Sequence, residues 1–395
     1  MNEIERLIND LCPDGVEYKK MSELGSFYGG LSGKSKNDFS DGNAKFITYV
    51  NIFKNSILDL GCLERVKISK NEKQNIVQYG NVLFTGSSET VEECGMSSVL
   101  TEKPKESLYL NSFSFGFRLN NQQLLLPGFC KYIFRATNLR KQIVKTASGV
   151  TRFNVSKKKM ENVIIPVPPL EIQEKIVEIL DKFTELTAEL KSELEARKQQ
   201  YKHYRDSFLA FDNEVESVTL GKLADINVGS KPDEIYEERN KYEYINAGTT
   251  NSGYSDSCNC EGDSITTPSR GQGGIGFVGY QKDNFWLGSL CYRIKSNKTK
   301  NILTKYLYYY LQCNNYLILK IKNEGGVPAV NKVDLVKLPV VIPDIKEQER
   351  IVSILDCFDT LVNNPKQGLP AEIELSEKRY SYYRDKLLTF KRKHT

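Results

Sequence analysis

The chain nearly repeats itself, and this constrains its fold more than any other feature. Gln173 to Phe183 (QEKIVEILDKF) returns 175 residues later as Gln348 to Phe358 (QERIVSILDCF), with eight of eleven positions identical. A second stretch, Tyr201 to Phe211 (YKHYRDSFLAF), returns as Tyr380 to Phe390 (YSYYRDKLLTF) at an offset of 179, so four extra residues lie between the two blocks in the second copy. The period is far above the roughly 20 to 50 residues of solenoid repeats, so the chain is two large halves rather than an array.

Both copies carry a helical pattern. From Ile172 the seam runs through Ile176, Leu180, Phe183, Thr187, Leu190, Leu194, Arg197, Tyr201, Tyr204, Phe208 and Phe211 in steps of four and three. That spacing predicts a coiled-coil helix of about 40 residues, roughly 60 Å long, entered through Pro166, Pro168 and Pro169. The second copy keeps the seam at Ile351, Leu355, Phe358 and Val362, then resumes at Leu369, Ile373, Ser376, Tyr380, Tyr383, Leu387 and Phe390. Asn363, Asn364, Pro365, Gly368 and Pro370 are breakers here, which predicts two helices with a kink or short loop between them. An isolated apolar seam would be wet, so the two helical regions are expected to pair as an intramolecular antiparallel coiled coil.

Ahead of each helical region, about Gly15 to Pro166 and Val218 to Pro343, short β-rich runs alternate with turns in the same order. An aromatic early strand (Phe46 to Val50; Tyr242 to Ile245) precedes a Gly, Ser and Thr turn (Gly80 to Ser88; Gly262 to Gly276). A strand ending in aromatic-Arg follows (Phe117-Arg118; Tyr292-Arg293), then one helix (Phe129 to Thr146; Leu303 to Ile321) and a Gly-Val turn (Gly149-Val150; Gly326-Val327). The expected fold class is α+β, with two similar β-rich domains each followed by a long helical region in a pseudo-twofold arrangement. The expected boundaries are 1–166 with a short N-terminal helix, 167–214, 215–343 and 344–395.

At 395 residues two or three domains are expected, each able to bury a core. A balance of 55 basic and 50 acidic residues permits a nucleic-acid partner without requiring one. Nine scattered cysteines without a CxxC pair, and only two histidines (His203 and His394), make a zinc site improbable and point to a reducing cytoplasm. The start, MNEIERLIND, is too charged for a signal peptide, and no apolar run approaches the roughly 18 residues of a membrane span.

Several motifs tempt and fail. Gly29 to Ser35 (GGLSGKS) ends like a P-loop, but position 28 is Tyr where the first glycine belongs, so Lys34 reads as a basic loop residue. Gly271 to Gly276 fits GxGxxG, yet the FVGY after it reads as a strand, which predicts a glycine-rich hairpin or flexible loop. Cys258 and Cys260 lack companion ligands, and two histidines leave little material for a nucleophilic triad. No catalytic, cofactor or metal residue is expected.

What remains is recognition. Basic and aromatic residues interleave in Thr146 to Lys159 (TASGVTRFNVSKKK), where Arg152, Lys157 and Lys158 could meet phosphates and Thr151 or Asn154 could approach base edges. Thr85, Ser87 and Ser88 in the first half match Ser269, Arg270 and Gln272 in the second, on corresponding turns. Arg and Gln can pair bidentately with guanine and adenine. Strand capping and loop exposure would also explain these residues. A coiled-coil scaffold with two protein-binding domains is therefore the alternative.

The paired blocks Pro168 to Phe183 and Pro343 to Phe358, with YxxYRDxxLxF at Tyr201 to Phe211 and Tyr380 to Phe390, resemble the specificity subunit of type I restriction-modification systems. The resemblance covers the whole chain, strongly in the helical blocks and weakly in the domains. It implies a sequence-specific DNA-binding subunit, non-catalytic alone, whose two target-recognition domains read the halves of a bipartite asymmetric site in double-stranded DNA. The paired helices would act as a ruler for the unread spacer. Two modification subunits would dock on the helical repeats, with Tyr201, Tyr204, Arg205, Tyr380, Tyr383 and Arg384 as docking candidates, and motor-nuclease restriction subunits would complete the complex. S-adenosylmethionine, for adenine-N6 methylation, and ATP with Mg would then belong to the partners and not to this chain. Four helical residues rise about 6 Å, so the four-residue difference between the copies is itself expected to bear on spacer length.

Overall fold

The seam beginning at Ile172 folds as one continuous helix, Leu170–Phe208, of 39 residues. This computed structural model describes residues 3–210, 217–238, 241–297, 301–323 and 325–393, so Phe211, the last expected seam residue, lies outside the described residues. The second copy forms two helices, Ile345–Asn363 and Gly368–Leu387. Asp344 caps the first of them, accepting the N–H groups of Lys346 and Glu347 at 3.0 and 3.1 Å. Gly368 has φ +73°, and a Cβ there would lie 2.6 Å from the Leu361 carbonyl oxygen, so the turn requires glycine. The four residues 364–367 between these helices are non-helical. They match in number the excess of the second copy, which corrects the expectation that the difference adds about 6 Å of helical rise.

The chain divides into two compact units, Met1–Glu189 with Ile373–Thr395, and Leu190–Glu372. Each unit thus holds one β-rich domain, part of the long helix and part of the C-terminal helices.

In the first unit an antiparallel sheet orders the strands Gly25–Gly29, Ser114–Leu119, Val82–Thr85 and Ser97–Val99. A second sheet places Ala44–Ile47 between Leu63–Val66 and a parallel Leu108–Leu110. The stretch expected as a turn from Gly80 contains Val82–Thr85, buried at every position, because an apolar run of strand length is satisfied inside a sheet. Helices Pro127–Ile133 and Thr137–Val144 replace the single helix expected here. The break leaves the Thr137 N–H free of helical bonding, and it donates to Asp385 of the last helix at 3.3 Å. Phe84, Phe117, Phe129 and Phe134 fill the core, together with Ile172, Ile176 and Leu180 of the long helix. The first turns of the seam therefore pack on the domain, and pairing between helices begins beyond them. Phe183 stacks on Tyr383 with ring centres 5.3 Å apart, and Thr187 and Ser376 share a hydrogen bond of 2.7 Å, an antiparallel register. Near the chain start, the Val16 N–H donates to the Lys391 carbonyl and the Lys393 N–H to the Val16 carbonyl, at 2.8 and 2.9 Å.

The second unit repeats this plan. Ala224–Val228, Cys291–Ser296, Ser264–Pro268 and Gly279–Gln281 form the antiparallel sheet. Tyr242–Ile245 lies between Tyr254–Ser255 and a parallel Trp286–Leu287. The expected single helix is again two, Thr304–Cys313 and Asn315–Lys320, divided at Asn314, whose side-chain amide donates to the Tyr310 carbonyl at 3.0 Å. Residues 271–276 are irregular turns ahead of the strand Gly279–Gln281, as the hairpin reading expects. Tyr204 and Tyr201 face Phe358 at 5.5 and 6.3 Å between ring centres, while Arg197 and Leu361 line one groove, so this helix pair is also antiparallel. All nine cysteines are free, and burial pushes the Cys130 and Cys291 thiols up to about 12, which keeps them protonated packing groups.

Candidate nucleic-acid interface

Each domain is fastened to its helix by the same side chains. Gln173 is fully buried, accepts the Leu126 N–H at 2.9 Å and donates to the Leu124 and Pro168 carbonyls at 2.9 and 2.7 Å. In the second unit Gln348, also fully buried, accepts the Leu303 N–H at 2.9 Å and donates to Asn301 and Pro343 at 3.0 and 2.9 Å. One turn or two further along, Tyr132 donates to Asp181 and Tyr309 donates to Asp356. Burial, then the carboxylate, holds both phenols well above their ordinary range, so they remain donors. A lysine joins each carboxylate, Lys131 in the first unit and Lys305 in the second.

The YxxYRD blocks lie on the same seams. In the first unit Tyr380 packs its ring 6.4 Å from Tyr132, and Arg384 donates to Asp385 at 3.0 Å. Asp385 in turn accepts the Thr137 hydroxyl at 2.6 Å. In the second unit Tyr201 is buried, and Arg205 pairs with Asp206 at 2.7 Å. There Cys313 donates to Asp206 at 3.5 Å, a weaker counterpart of the Thr137 contact. The six docking candidates thus sit where helix meets helix and helix meets domain, with Tyr383 the most exposed of them at 36%. Beside them in the first unit, Leu186, Leu375 and Tyr382 face solvent.

The fastened domains present their candidate loops. In the first unit two stretches far apart in sequence meet: Ser88 and Ser87 end a strand edge that pairs with Phe153 and Asn154. The Arg152 guanidinium donates to the Ser87 hydroxyl at 3.3 Å. Thr151, Arg152, Asn154, Lys157 and Lys158 are exposed, whereas Thr85, Ser87 and Ser88 are buried. The Thr85 hydroxyl accepts the Met96 N–H at 2.9 Å, and Ser88 donates to Glu93 at 3.3 Å. In the second unit the Ser269 carbonyl accepts the Val330 N–H at 2.9 Å and Arg270 bridges to Ala329. Arg270 and Gln272 are exposed, and Ser269 is half-buried. The two turns therefore correspond in structure, each held against the segment after a Gly-Val pair.

At those Gly-Val pairs Val150 is 92% and Val327 56% exposed, two apolar residues that sequence reasoning passed over. The shared dipeptide was the available signal, because a turn alone does not need valine. Lys34 is engaged by Glu72 at 2.6 Å and by the Lys67 carbonyl at 2.6 Å, an ordinary structural ion pair. Hydrogen bonds from Lys34, Ser69 and Gln74 hold the Glu72 carboxyl down at about 2. No helix among the described residues is long and apolar enough to cross a membrane.

Comparison with known proteins points the same way. The family described as "Type I restriction modification DNA specificity domain" matches residues 13–196 and again 212–375. The EcoR124I/EcoR124II specificity subunit of Escherichia coli is 36% identical over 288 residues, covering 61% of this chain and 66% of that protein. A putative type I restriction enzyme specificity subunit of Haemophilus influenzae is 33% identical over 282 residues, covering 62% and 68%. The crystal structure of a type I restriction-modification S subunit from M. genitalium shares the fold at TM-score 0.58 and 16% identity, covering 95% of this chain and 96% of that one.

Proposed function

The chain belongs to the type I restriction-modification DNA specificity family, and from that premise we propose that each unit reads one half of a split, asymmetric site in double-stranded DNA. One observation carries the reading: the same buried glutamine and tyrosine-carboxylate contacts fasten two domains whose exposed loops differ. A common frame with unlike reading edges suits two unlike half-sites. In the first unit Arg152, Lys157 and Lys158 meet phosphates, while Thr151 and Asn154 reach base edges. In the second, Arg270 and Gln272 supply the bidentate groups, with Ser269 beside them. Thr85, Ser87 and Ser88 hold the reading strand in place from beneath.

The helical regions set the distance between half-sites and dock two modification subunits. Because the YxxYRD residues close the seams, the docking surface is the solvent-facing side beside them, including Leu186, Leu375 and Tyr382 in the first unit. Methyl transfer with S-adenosylmethionine and ATP-driven restriction belong to the partner subunits, and this chain supplies address rather than chemistry. The direct test is binding of the full chain to a random-sequence duplex across a salt series. Phosphate neutralisation predicts affinity falling steeply with salt. Salt-independent or absent duplex binding would favour a protein-binding scaffold instead.

A further inference from the structure

The second unit holds a polar cavity of about 330 Å³ with Phe277, Tyr280, Tyr308, Gln281, Gln312 and Glu243 in its lining. Pro268 also lines it and directly precedes the Ser269 to Gln272 turn. Gln312 donates through Nε2 to the Tyr308 hydroxyl at 3.0 Å, but its Oε1 is buried without a hydrogen-bond partner among the described residues. A buried acceptor left in this state is costly, which marks it as the place where a donor belongs.

The first unit shows how the same place is closed. Leu126 and Leu303 donate to equivalent glutamines, Tyr132 and Tyr309 to equivalent aspartates, both at an offset of 177, so Gln312 corresponds to Arg135. The Arg135 guanidinium donates to the Ser97 carbonyl at 2.8 Å and to the Ile52, Phe53 and Asn55 carbonyls at 3.1, 3.3 and 2.8 Å. Those last three carbonyls end the helix Tyr49–Lys54. In the second unit the stretch after Tyr242–Ile245, including Gly248 to Asn251 at the cavity, is not helical. Both the plug and the carbonyls it closes are replaced.

The lining selects a ligand. Among the described residues it contains no lysine or arginine, so it is not built for phosphate. The Lys305 ammonium already lies 3.9 Å from the Tyr280 ring centre and 5.4 Å from that of Tyr308, which opposes a second cation at those rings. Aromatic faces with an unpartnered acceptor suit a neutral planar base carrying an N–H donor. We propose that this cavity binds an amino-bearing nucleobase, adenine, cytosine or guanine, whose exocyclic N–H donates to Gln312 Oε1. The base comes from bound DNA as an extrahelical nucleotide, a source that rests on the reading role above, or from a free nucleoside, which does not.

The test titrates the full chain with deoxyadenosine, deoxycytidine, thymidine and methylguanidinium by saturation-transfer NMR. Thymidine, which lacks the exocyclic amine and keeps only an N3–H flanked by two carbonyls, should bind about fivefold to tenfold more weakly than deoxyadenosine, the factor of one hydrogen bond. Gln312→Leu should weaken deoxyadenosine by the same factor, and Gln312→Arg should abolish binding by filling the cavity with a longer cation and removing the acceptor. Phe277→Ala, on a partly exposed ring, should weaken it severalfold and guards against a core variant that fails to fold. Equal binding of thymidine, or unchanged binding by Gln312→Arg, overturns the proposal. Tighter binding of methylguanidinium also overturns it, in favour of an arginine from a protein partner. A duplex with 2-aminopurine in the half read by this unit separates the sources. Emission that rises on binding, and not with Gln312→Arg, assigns the base to DNA; unchanged emission assigns it to the nucleoside. A mobility shift in the same samples keeps the readings apart, since a duplex that never shifts counts against DNA reading and leaves the nucleoside titration standing.

Discussion

Replacing Gln173 by leucine, and separately Gln348, tests whether one joint fastens both domains. Each amide is fully buried and makes three hydrogen bonds to backbone groups, one accepted and two donated. Leucine keeps most of the volume, so the cavity contribution is small and the polar loss dominates. Three bonds at about 1 kcal/mol each give about 3 kcal/mol, and stranding the Leu126 or Leu303 N–H in the interior raises this toward about 5 kcal/mol. For a unit of about 200 residues that lowers the melting temperature by about 6 to 20 °C. Differential scanning calorimetry of the full chain should show one transition moving in each variant while the other stays. The two losses should agree within about 1 kcal/mol, since the two geometries match. Losses below about 1 kcal/mol in both would refute the joint. A large loss in only one would refute the shared frame on which the two-half reading rests.

Substituting Lys157 and Lys158 by alanine should reduce the slope of log affinity against log salt by about 0.9 for each phosphate no longer neutralised, read by duplex titration. Gly368→Ala should destabilise by about 1 to 3 kcal/mol or more in urea unfolding, because φ +73° and a Cβ 2.6 Å from the Leu361 carbonyl oxygen both oppose it. Asp385 is raised somewhat by burial but brought below its ordinary range by the Thr137 hydroxyl and N–H and by Arg384. A depressed carboxyl stabilises above its unfolded pKa of about 3.9 and loses that contribution as pH falls through the folded value. The melting-temperature gap between wild type and Asp385→Asn should therefore be constant above about pH 5 and shrink below about pH 4; a gap that grew on acidification would refute the assignment.

Helices were the legible part of this fold, because a seam in steps of three and four states its period in the residues themselves. The kink at residues 364–367 was equally readable from Pro365 and Gly368. What escaped was decided by tertiary partners. Val82–Thr85 looked like part of a turn because glycine and serine flank it, and only burial on both faces makes it a central strand. The division of the first domain's helix depends on a contact from a distant segment, Asp385 on Thr137, whereas the second divides at Asn314 with a local bond to Tyr310. In the candidate interface, sequence singled out two stretches that meet at one sheet edge, but not which side chains turn outward. Arg152 is exposed and the neighbouring serines are buried because Asn154 pairs with Ser87 across the sheet edge. Val150 and Val327 could have been noticed from the repeated Gly-Val, but their exposure is a property of the tips they occupy.

The most direct measurement is the pattern of adenine methylation in genomic DNA when this chain is expressed with its modification partner, wild type and with Arg152→Ala or Arg270→Ala. The two-unit architecture predicts a split motif with one methylated adenine in each half and an unread spacer. It also predicts that each substitution relaxes one half only, and that one extra helical turn after Leu190 lengthens the spacer without altering either half. A continuous motif, or a substitution in one unit that changes both halves alike, would contradict it.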